Sequence, residues 1–438
     1  MHIAIVSSRQ DPGGVNIRRH LLERLARRPG DWPLLQAHHL EFLEVEGRLI
    51  YEDRIDEKTD ADLILFISRH ASSHPVPALT VHVTGNYGPA ELGGEARTLT
   101  PAAPELMHAV LNNLAHRAPD GYRVSYEVTH HGPTGLAVPS LFAEIGSTPR
   151  EWEDPAAGRA VAESILSAEP DHTINLIGFG GTHYAVRQTA ISLRSRAAFG
   201  HIAPGRALPL LDPGIVRMMR DQTRAVAAYI DRKALTKAEI AAVEDLIGQA
   251  GLEPLTEGEI LAIGDLDWES YLLCRRAAGE AAPGAALHLH ALAGKVTPKA
   301  FAVPGDLLEE VLKTDKTGFF AGIRDLPLAH LSMGSNEVLP VFLADAREVS
   351  RLVNVLITLC VKLLLIHEDI VVRGDCLVIR RARFDPRKAR ELGIPAGPLF
   401  GRLAGGGEVE IGGRRITPDM VQTSHEREIH IPGLERYT

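Results

Sequence analysis

The chain has 438 residues, 45% of them hydrophobic and 24% charged, with a net charge of −9. That length holds two or three domains with a full core, and the composition is that of an ordinary globular chain rather than a disordered or fibrous one. The acidic balance excludes a chain built as a whole to attract polyanions, so any contact with nucleic acid has to come from local basic patches.

Met1-His-Ile-Ala-Ile-Val6 opens the chain as a first strand and lacks the charged-then-apolar layout of a signal peptide. Asp11-Pro-Gly-Gly14 breaks it, and a helix is expected from about Val15 to Arg28. That helix carries Arg18, Arg19, Arg24, Arg27 and Arg28 around an Ile17/Leu21/Leu25 stripe. The glycine turn has neither GxGxxG nor P-loop spacing, so it reads as a tight strand-to-helix turn. Leu43 to Asp53 alternates around Glu46-Gly47 and predicts a hairpin. Asp62 to Ser68 is a continuous apolar run, the mark of a strand buried on both faces, and it ends in Arg69-His70.

A polar, glycine-rich segment from Ala71 to Thr100 and a helix from Pro104 to Arg117 follow. Two apolar runs come next, Tyr122 to Thr129 and Ser140 to Gly146. The first ends in His130-His131-Gly132-Pro133 and the second carries Glu144. About ten residues join them, too few for a helical crossover, so they are expected as antiparallel neighbours with Glu127 and Glu144 able to face the same side. A helix from Pro155 to Ala168 precedes a buried strand, Thr173 to Gly178, which ends in Gly180-Gly-Thr-His183. Further helices are expected at 184–198, 214–231 and 236–249. This alternation indicates an α/β domain, a mixed sheet with helices on both faces, over residues 1–255.

Beyond about residue 255 the composition shifts. Ala277 to Gly284 reads as a linker or surface loop. Strands at Ala286 to Ala293, Ile370 to Val372 and Leu377 to Arg380, with a helix through 347–366, form a smaller α+β domain over 256–438. The apolar run Leu352 to Ile366 contains Asn354 and Lys362 and is shorter than a membrane span, so it reads as a buried helix. Arg380 to Arg390 is a second basic stretch. Three cysteines (Cys274, Cys360, Cys376) are too few and too scattered for a disulfide framework or a thiolate zinc site, which fits a reducing cytoplasm.

In open α/β sheets, ligands gather at the carboxyl ends of strands. His70, the His130/His131 pair and His183 all stand at such ends. Glu127 and Glu144 lie inside apolar runs, where a carboxylate is costly unless it is paired, hydrogen-bonded or metal-bound; the bland alternative is an edge or solvent-facing position. Neutral imidazoles with carboxylates suit Zn²⁺, which activates water for hydrolysis. No HExxH and no Gly-x-Ser-x-Gly elbow is present. His288-Leu-His290 lacks the acid of an HxHxDH signature and reads as two residues on one strand face. Thr84-Gly85-Asn86 and Gly178 to Thr182 offer backbone N–H groups to a ribose, phosphate or carbonyl oxygen.

Seven motifs stand in order: Ser68 to Ser72, Pro77 to Asn86, His130 to Thr134, Val138 to Ser140, Glu144 to Ser147, Gly180 to Tyr184 and Ala198 to Ile202. Together they resemble the archaeal-type D-aminoacyl-tRNA deacylases, also called D-tyrosyl-tRNA deacylases of the archaeal and plant type. The resemblance runs from the first strand to about residue 255. It implies a zinc-dependent hydrolase that cuts the ester between a D-amino acid and tRNA, with two zinc ions per subunit. The implied fold is a mixed α/β sheet related to peptidyl-tRNA hydrolase and phosphorylase-like enzymes. The resemblance implies His70, His82, His130, His131, Glu144, His183 and His201 as ligand and catalytic candidates.

On this reading His70, His130, Glu144 and His183 are expected to hold metal, and Glu127, His131 and Thr134 to take part in catalysis. His82, Thr84, Gly85, Asn86 and His201 are expected to bind substrate. The expected partner is the tRNA 3′ end, with no membrane, and the expected state is a cytoplasmic monomer. The chain departs from the compact family pattern in its extension, residues 256–438. Within it, Leu392 to Leu403 is similar to the C-terminal region of tRNA 3′-processing nucleases, but the nuclease metal motif is missing and that activity is not carried over. The alternatives are a metal-independent, peptidyl-tRNA hydrolase-like esterase and a non-catalytic tRNA-binding module.

Overall fold

The computed structural model describes residues 1–72, 75–334, 337–367 and 369–438; His74 lies outside them. The chain divides into two compact units, Met1–Gly264 and Asp265–Thr438.

In the first unit β1 (His2–Ser8) leads into α1 (Pro12–Arg27), a short α2 (Pro33–Ala37) and β2 (His39–Val45). Then come β3 (Leu63–Ala71), β4 (Ala78–His82), the brief pair β5 (Gly85–Asn86) and β6 (Thr98–Leu99), and α3 (Pro104–Arg117). β7 (Arg123–Tyr126), β8 (Ser140–Ser147), α4 (Pro149–Trp152), α5 (Pro155–Leu166) and β9 (Ile174–Phe179) follow. The unit closes with α6 (Val186–Ser192), β10 (Ala197–Ala203), α7 (Pro213–Thr223), β11 (Ala227–Ile230), α8 (Lys237–Gln249), β12 (Pro254–Leu255) and α9 (Glu257–Ile263).

One sheet has the order β2-β1-β3-β8-β4-β7. Its first four strands are parallel, β4 runs antiparallel to β8, and β7 is parallel to β4, so the sheet is mixed as expected. The second sheet, β10-β9-β11-β12, is parallel throughout. β3 is apolar on both faces because both are covered. Ile64 and Phe66 pack with Leu49, Ile55 and Leu136, while α1, with Ile17 and Leu21 buried, packs on β1, β3 and α5. α3 touches both sheets, through β4 and β10.

The start of α1 is fixed by Asp11. Its Oδ1 accepts from Gly14 N at 2.8 Å and from Arg69 N at 2.9 Å, which ties the helix to the end of β3. Pro12 suits the first helical position, where its missing N–H costs nothing, so the helix begins ahead of Val15.

Several expectations are corrected. Leu43 to Asp53 is not a hairpin. β2 pairs in parallel with β1, Arg9 bridges Glu44 and Glu46 at 2.7 Å each, and Leu49–Tyr51 is one 3₁₀ turn. β7 and β8 are not neighbours. All five residues of β4 are buried, and this strand fills the gap between them. α6 stops at Ser192, and 197–203 is a buried strand. α7 stops at Thr223, where Arg224 adopts a left-handed conformation (φ 51°), and Ala227–Ile230 becomes the strand between β9 and β12. Ala277 to Gly284 is no linker. Alanine favours helix, and a helix continues through Ala281.

The second unit contains α10 (Trp268–Ala281), β13 (Ala286–Leu289), β14 (Pro298–Ala302), α11 (Gly305–Thr314), α12 (Lys316–Ile323), β15 (Leu328–Met333), β16 (Glu337–Asp345) and α13 (Val349–Leu365). It ends with β17 (Ile370–Arg373), β18 (Cys376–Phe384), α14 (Pro386–Glu391), α15 (Pro398–Ala404), β19 (Val409–Ile411), β20 (Arg414–Ile416) and β21 (Gln422–His430). An antiparallel sheet, β13-β15-β16-β14, and a second one, β17-β18-β21, share a core with α11, α12 and α13, the α+β arrangement expected. α13 buries Leu352, Leu356, Cys360 and Leu364 in that core. Among the described residues no helix is long and apolar enough to cross a membrane. Half of the basic side chains of the Arg380–Arg390 stretch are engaged: Arg380 pairs with Glu426 at 3.0 Å, Arg381 with the buried Glu310, and Lys388 donates to Gln422 O at 2.6 Å.

Candidate active site

β3 and β4 flank β8 from opposite directions, and this sets up the site. In the β3–β8 register Ser68 stands opposite Glu144 and His70 opposite Gly146. In the β4–β8 register Thr80 stands opposite Glu144 and His82 opposite Phe142. Residues two apart along a strand share a face, so all of these side chains project to one side. Because β4 runs against β3, His70 and His82 lie on opposite sides of Glu144 along the strand axis. Glu144 Oε2 is 3.6 Å from His70 Nδ1 and 4.0 Å from His82 Nδ1, and Oε1 accepts from Ser68 Oγ at 2.5 Å.

Glu127 approaches from the end of β7, where the chain crosses between the two sheets. Glu127 N bonds to Val81 O at 3.1 Å, Val128 N to His183 O at 3.0 Å and Thr129 N to Ile202 O at 2.9 Å. These bonds hold His183, in the loop after β9, beside the first sheet. Glu127 Oε1 is 3.0 Å from His70 Nδ1; Oε2 is 3.0 Å from His183 Nε2 and 3.5 Å from His130 Nε2. These are ion contacts off the line of a hydrogen bond. Both Glu127 oxygens, His82 Nδ1 and His183 Nε2 are buried without a hydrogen-bond partner among the described residues. Neither glutamate is edge-exposed, so the bland reading of these carboxylates does not hold.

Backbone carbonyls set the tautomers of the histidine pair. His130 Nδ1 is 2.8 Å from Val128 O, and His131 Nδ1 is 2.6 Å from Gly132 O. A carbonyl can only accept, so each Nδ1 carries the proton and each Nε2 keeps its lone pair. His131 Nε2 lies 3.3 Å from His82 Nε2.

Burial governs the titration of these groups. It lowers His82 and His130 well below the usual imidazole value and His131 to about 4, so all three are neutral at pH 7. Burial would also lower His70, but its contacts with Glu127 and Glu144 outweigh that and raise it to about 11. Burial and the charge of Glu127 push Glu144 up to about 7. Burial opposes the charge on Glu127 as well, yet His183 and His70 hold it well below the usual carboxylate range.

Three overlapping groups have ligand atoms within 4.8 Å of one another: His82/His130/His131, His70/Glu127/His183 and His82/Glu127/Glu144. Imidazoles of fixed tautomer, two carboxylates and buried lone pairs without partners make a donor set that fits a divalent cation of the zinc type.

A cavity of about 970 Å³ opens over this set, lined by His70, His130, His131, Glu144 and His183. Glu127 and His82 contact these lining residues from behind. Four arginines, Arg48, Arg69, Arg123 and Arg206, line the same cavity. Arg69 lies 5.0 Å over the Trp152 ring and Arg123 5.5 Å over that of Tyr184, whose hydroxyl is 3.2 Å from His70 Nε2.

The structure does not bring Thr84, Gly85, Asn86, Thr134 or His201 to the cavity wall. Thr84 Oγ1 donates to Pro133 O at 2.6 Å, and Gly85 N bonds to His131 O at 2.9 Å. The Asn86 amide holds Gly93 O and Glu95 O at 2.9 and 3.1 Å, and Thr134 Oγ1 accepts from Glu95 N at 2.7 Å. His201 is buried, its ring between Thr129 Oγ1 at 3.0 Å and Thr100 O at 2.8 Å. Four of them brace the loop that carries His130 and His131, and Asn86 braces the adjoining 93–95 segment. Ser68, Trp152, Tyr184 and the four arginines were missed by sequence reasoning. Ser68 was readable, two residues from His70 on one strand face, and Tyr184 adjoins His183. Arg48 and Arg206 carry no local signal.

A cavity floored by such donors on a mixed α/β sheet has the make-up of an enzyme active site. A family model described as D-aminoacyl-tRNA deacylase matches residues 57–255. The chain is 60% identical over 437 residues to a D-aminoacyl-tRNA deacylase of Methanoculleus marisnigri and 49% identical to one of Methanoregula boonei, each covering 100% of both chains. It also matches the crystal structure of a conserved protein of unknown function, with a TM-score of 0.54 and 33% identity, over 59% of this chain and 96% of that one. The chain belongs to the D-aminoacyl-tRNA deacylase family.

Proposed function

We propose that the chain hydrolyses the ester joining a D-amino acid to the 3′-terminal ribose of tRNA, at a zinc site formed by the buried histidines and glutamates. The substrate follows from full-length kinship with proteins named for that activity. Within this chain, the observation that carries the reading is Glu127, buried among His70, His130 and His183 with neither oxygen in a hydrogen bond among the described residues.

In this reading His70, His130, Glu144 and His183 hold the metal, with His82 and Glu127 closing the set from beneath. When bound, zinc supplies Lewis acidity to the ester carbonyl and the attacking water. His131, neutral at pH 7 with its proton on Nδ1 and its Nε2 lone pair 3.3 Å from His82 Nε2, takes a proton from that water, a contribution of about 10²–10⁴-fold for a well-placed base. The four cavity arginines receive phosphates of the 3′ end. Thr134, Thr84 and His201 act by holding the histidine loop. We place the reaction in the cytoplasm, where charged tRNA is used.

The test is metal analysis coupled to deacylation of D- and L-aminoacyl-tRNA, with and without chelator. Zinc should copurify, the D-ester should be cut and the L-ester spared, and chelation should stop the reaction until zinc is restored. Activity that survives exhaustive chelation would establish a metal-independent esterase instead. Intact D-aminoacyl-tRNA after long incubation with zinc-loaded protein would leave a binding module.

A further inference from the structure

We propose that a basic cleft at the far end of α1 binds the phosphate backbone of the tRNA acceptor arm; the choice of tRNA as ligand rests on the function proposed above. The cleft is a concavity of about 430 Å³ formed by Arg24, Arg27, Arg28, Trp32, Arg117 and Glu163. A smaller one of about 210 Å³ shares Arg117 and Glu163 with it and adds Arg159. Three helices, α1, α3 and α5, thus send arginines to one surface in a chain whose net charge is −9.

The single acid there, Glu163, is neutralised by Arg24 at 2.6 Å. Arg117 is held in place by Asn113 Oδ1 and Ser167 Oγ, both at 3.1 Å. Arg27, Arg28 and Arg159 are exposed and have no ion-pair partner among the described residues. Trp32 Nε1 is buried without a hydrogen-bond partner. Cations near helix carboxyl ends favour the helix dipole, which accounts for Arg27 and Arg117 taken singly. Arg28, the C-cap of α1, is accounted for in the same way; the indole of Trp32 in the larger hollow and Arg159 in the adjoining smaller one are not. Guanidinium groups beside an aromatic ring are the usual equipment for nucleic-acid backbone. A flat lipid surface would not enter such a concavity.

The cleft is also placed where a tRNA already seated in the cavity would reach it. Asp11, the N-cap of α1, lines the cavity, and Arg27 ends the helix at the cleft. Its 16 residues rise about 1.5 Å each, a span of about 24 Å. A stacked strand advances about 3.4 Å per nucleotide, so the cleft meets phosphates on the order of seven nucleotides from the scissile ester. That lies beyond the unpaired 3′ end, on the acceptor helix.

The test compares wild type with the double variant R27Q/R28Q, both full-length, in binding of uncharged tRNA across a salt series. The variant should bind about tenfold more weakly or worse, with a log–log salt slope shallower by about 1–2. Its KM for D-aminoacyl-tRNA should rise, while turnover of D-aminoacyl-adenosine, too short to reach the cleft, should match wild type. Equal tRNA affinity and salt slope in the two proteins would overturn the inference. So would anionic vesicles that bind through Arg27 and Arg28 while tRNA binding ignores them. Weaker tRNA binding by the variant, in a protein that cleaves nothing, would leave the cleft standing and refute the proposed activity.

Discussion

Replacing Glu127 by glutamine keeps the side chain's shape and removes its charge from a site where His70, His183 and His130 crowd around it. In the metal-free protein the proton on His70 is held by Glu127 and Glu144, which raise it to about 11. At pH 7 that is about four pH units, worth on the order of 5 kcal/mol at about 1.4 kcal/mol each, net of the burial that opposes the charge. Glu127 is at 3.0 Å and Glu144 at 3.6 Å, so Glu127 supplies the larger share. Breaking a buried ion pair of this kind costs about 3–5 kcal/mol. The assay is urea and thermal unfolding of chelated wild type and E127Q. For a unit of this size a loss of about 3 kcal/mol lowers Tm by roughly 6–12 °C. The pH dependence has a definite sign. His70 titrates above its ordinary 6.5, so its contribution is full below about 6.5 and fades as pH rises through about 11. Glu127 titrates below its ordinary 4.5, so its contribution is full above about 4.5 and fades as pH falls. The gap between the two proteins should therefore be widest near pH 5–6.5 and shrink on either side. A variant within about 0.5 kcal/mol of wild type at pH 6, or a gap that widens above pH 8, would refute this account of the site.

Three further substitutions separate the parts of the site. H131A should lower deacylation by about 10²-fold or more while zinc content holds; deacylation left intact would show that His131 is not the base. H201N, which disturbs the bonds to Thr129 and Thr100 O, should cost about 1–3 kcal/mol of stability and leave KM unchanged. His201 titrates near 4, below its ordinary value, so its contribution is present above about 6.5 and lost as pH falls through about 4. Wild type should accordingly lose stability over that interval faster than the variant, and a raised KM would return His201 to the substrate site. G146A places a methyl 2.7 Å from His70 Cδ2 and 2.9 Å from its Cβ, which pushes the ring away from Glu127. Turnover should fall by about 10²-fold in a protein that still folds, as measured by circular dichroism alongside the assay.

The legible parts of this molecule are those that depend on local pattern. Strands apolar on both faces announced β3 and β9, and the histidines at or just past their ends were candidates at once. The C-terminal α13 was legible for the same reason, as a long apolar run broken by polar residues at helical spacing. Local pattern failed where one composition serves two structures. Ala225 to Ile230 suits a helix end as well as a short buried strand, and a left-handed Arg224 decides between them. The alanines of 277–282 suit a loop tract or a helix, and the packing of Tyr271, Cys274 and Ala278 decides for helix.

The site itself lies beyond local pattern, and His82 shows why. In sequence it precedes Thr84-Gly85-Asn86 and shares their expected role at the substrate. In the fold β4 is the strand that reverses, and the reversal carries His82 to the far side of Glu144 from His70. Had β4 run parallel to β3, a histidine at its end would have lain on the same side as His70, and Glu144 would have met imidazoles from one side only. The donors come from separate segments: β3, β4, the 127–131 crossing, β8 and the loop after β9. A centre assembled in this way displays no spacing motif, so the lack of an HExxH sequence carries no weight against metal. Its signature in sequence is a set of ionisable residues placed where apolar strands end, and strand order alone determines which of them meet.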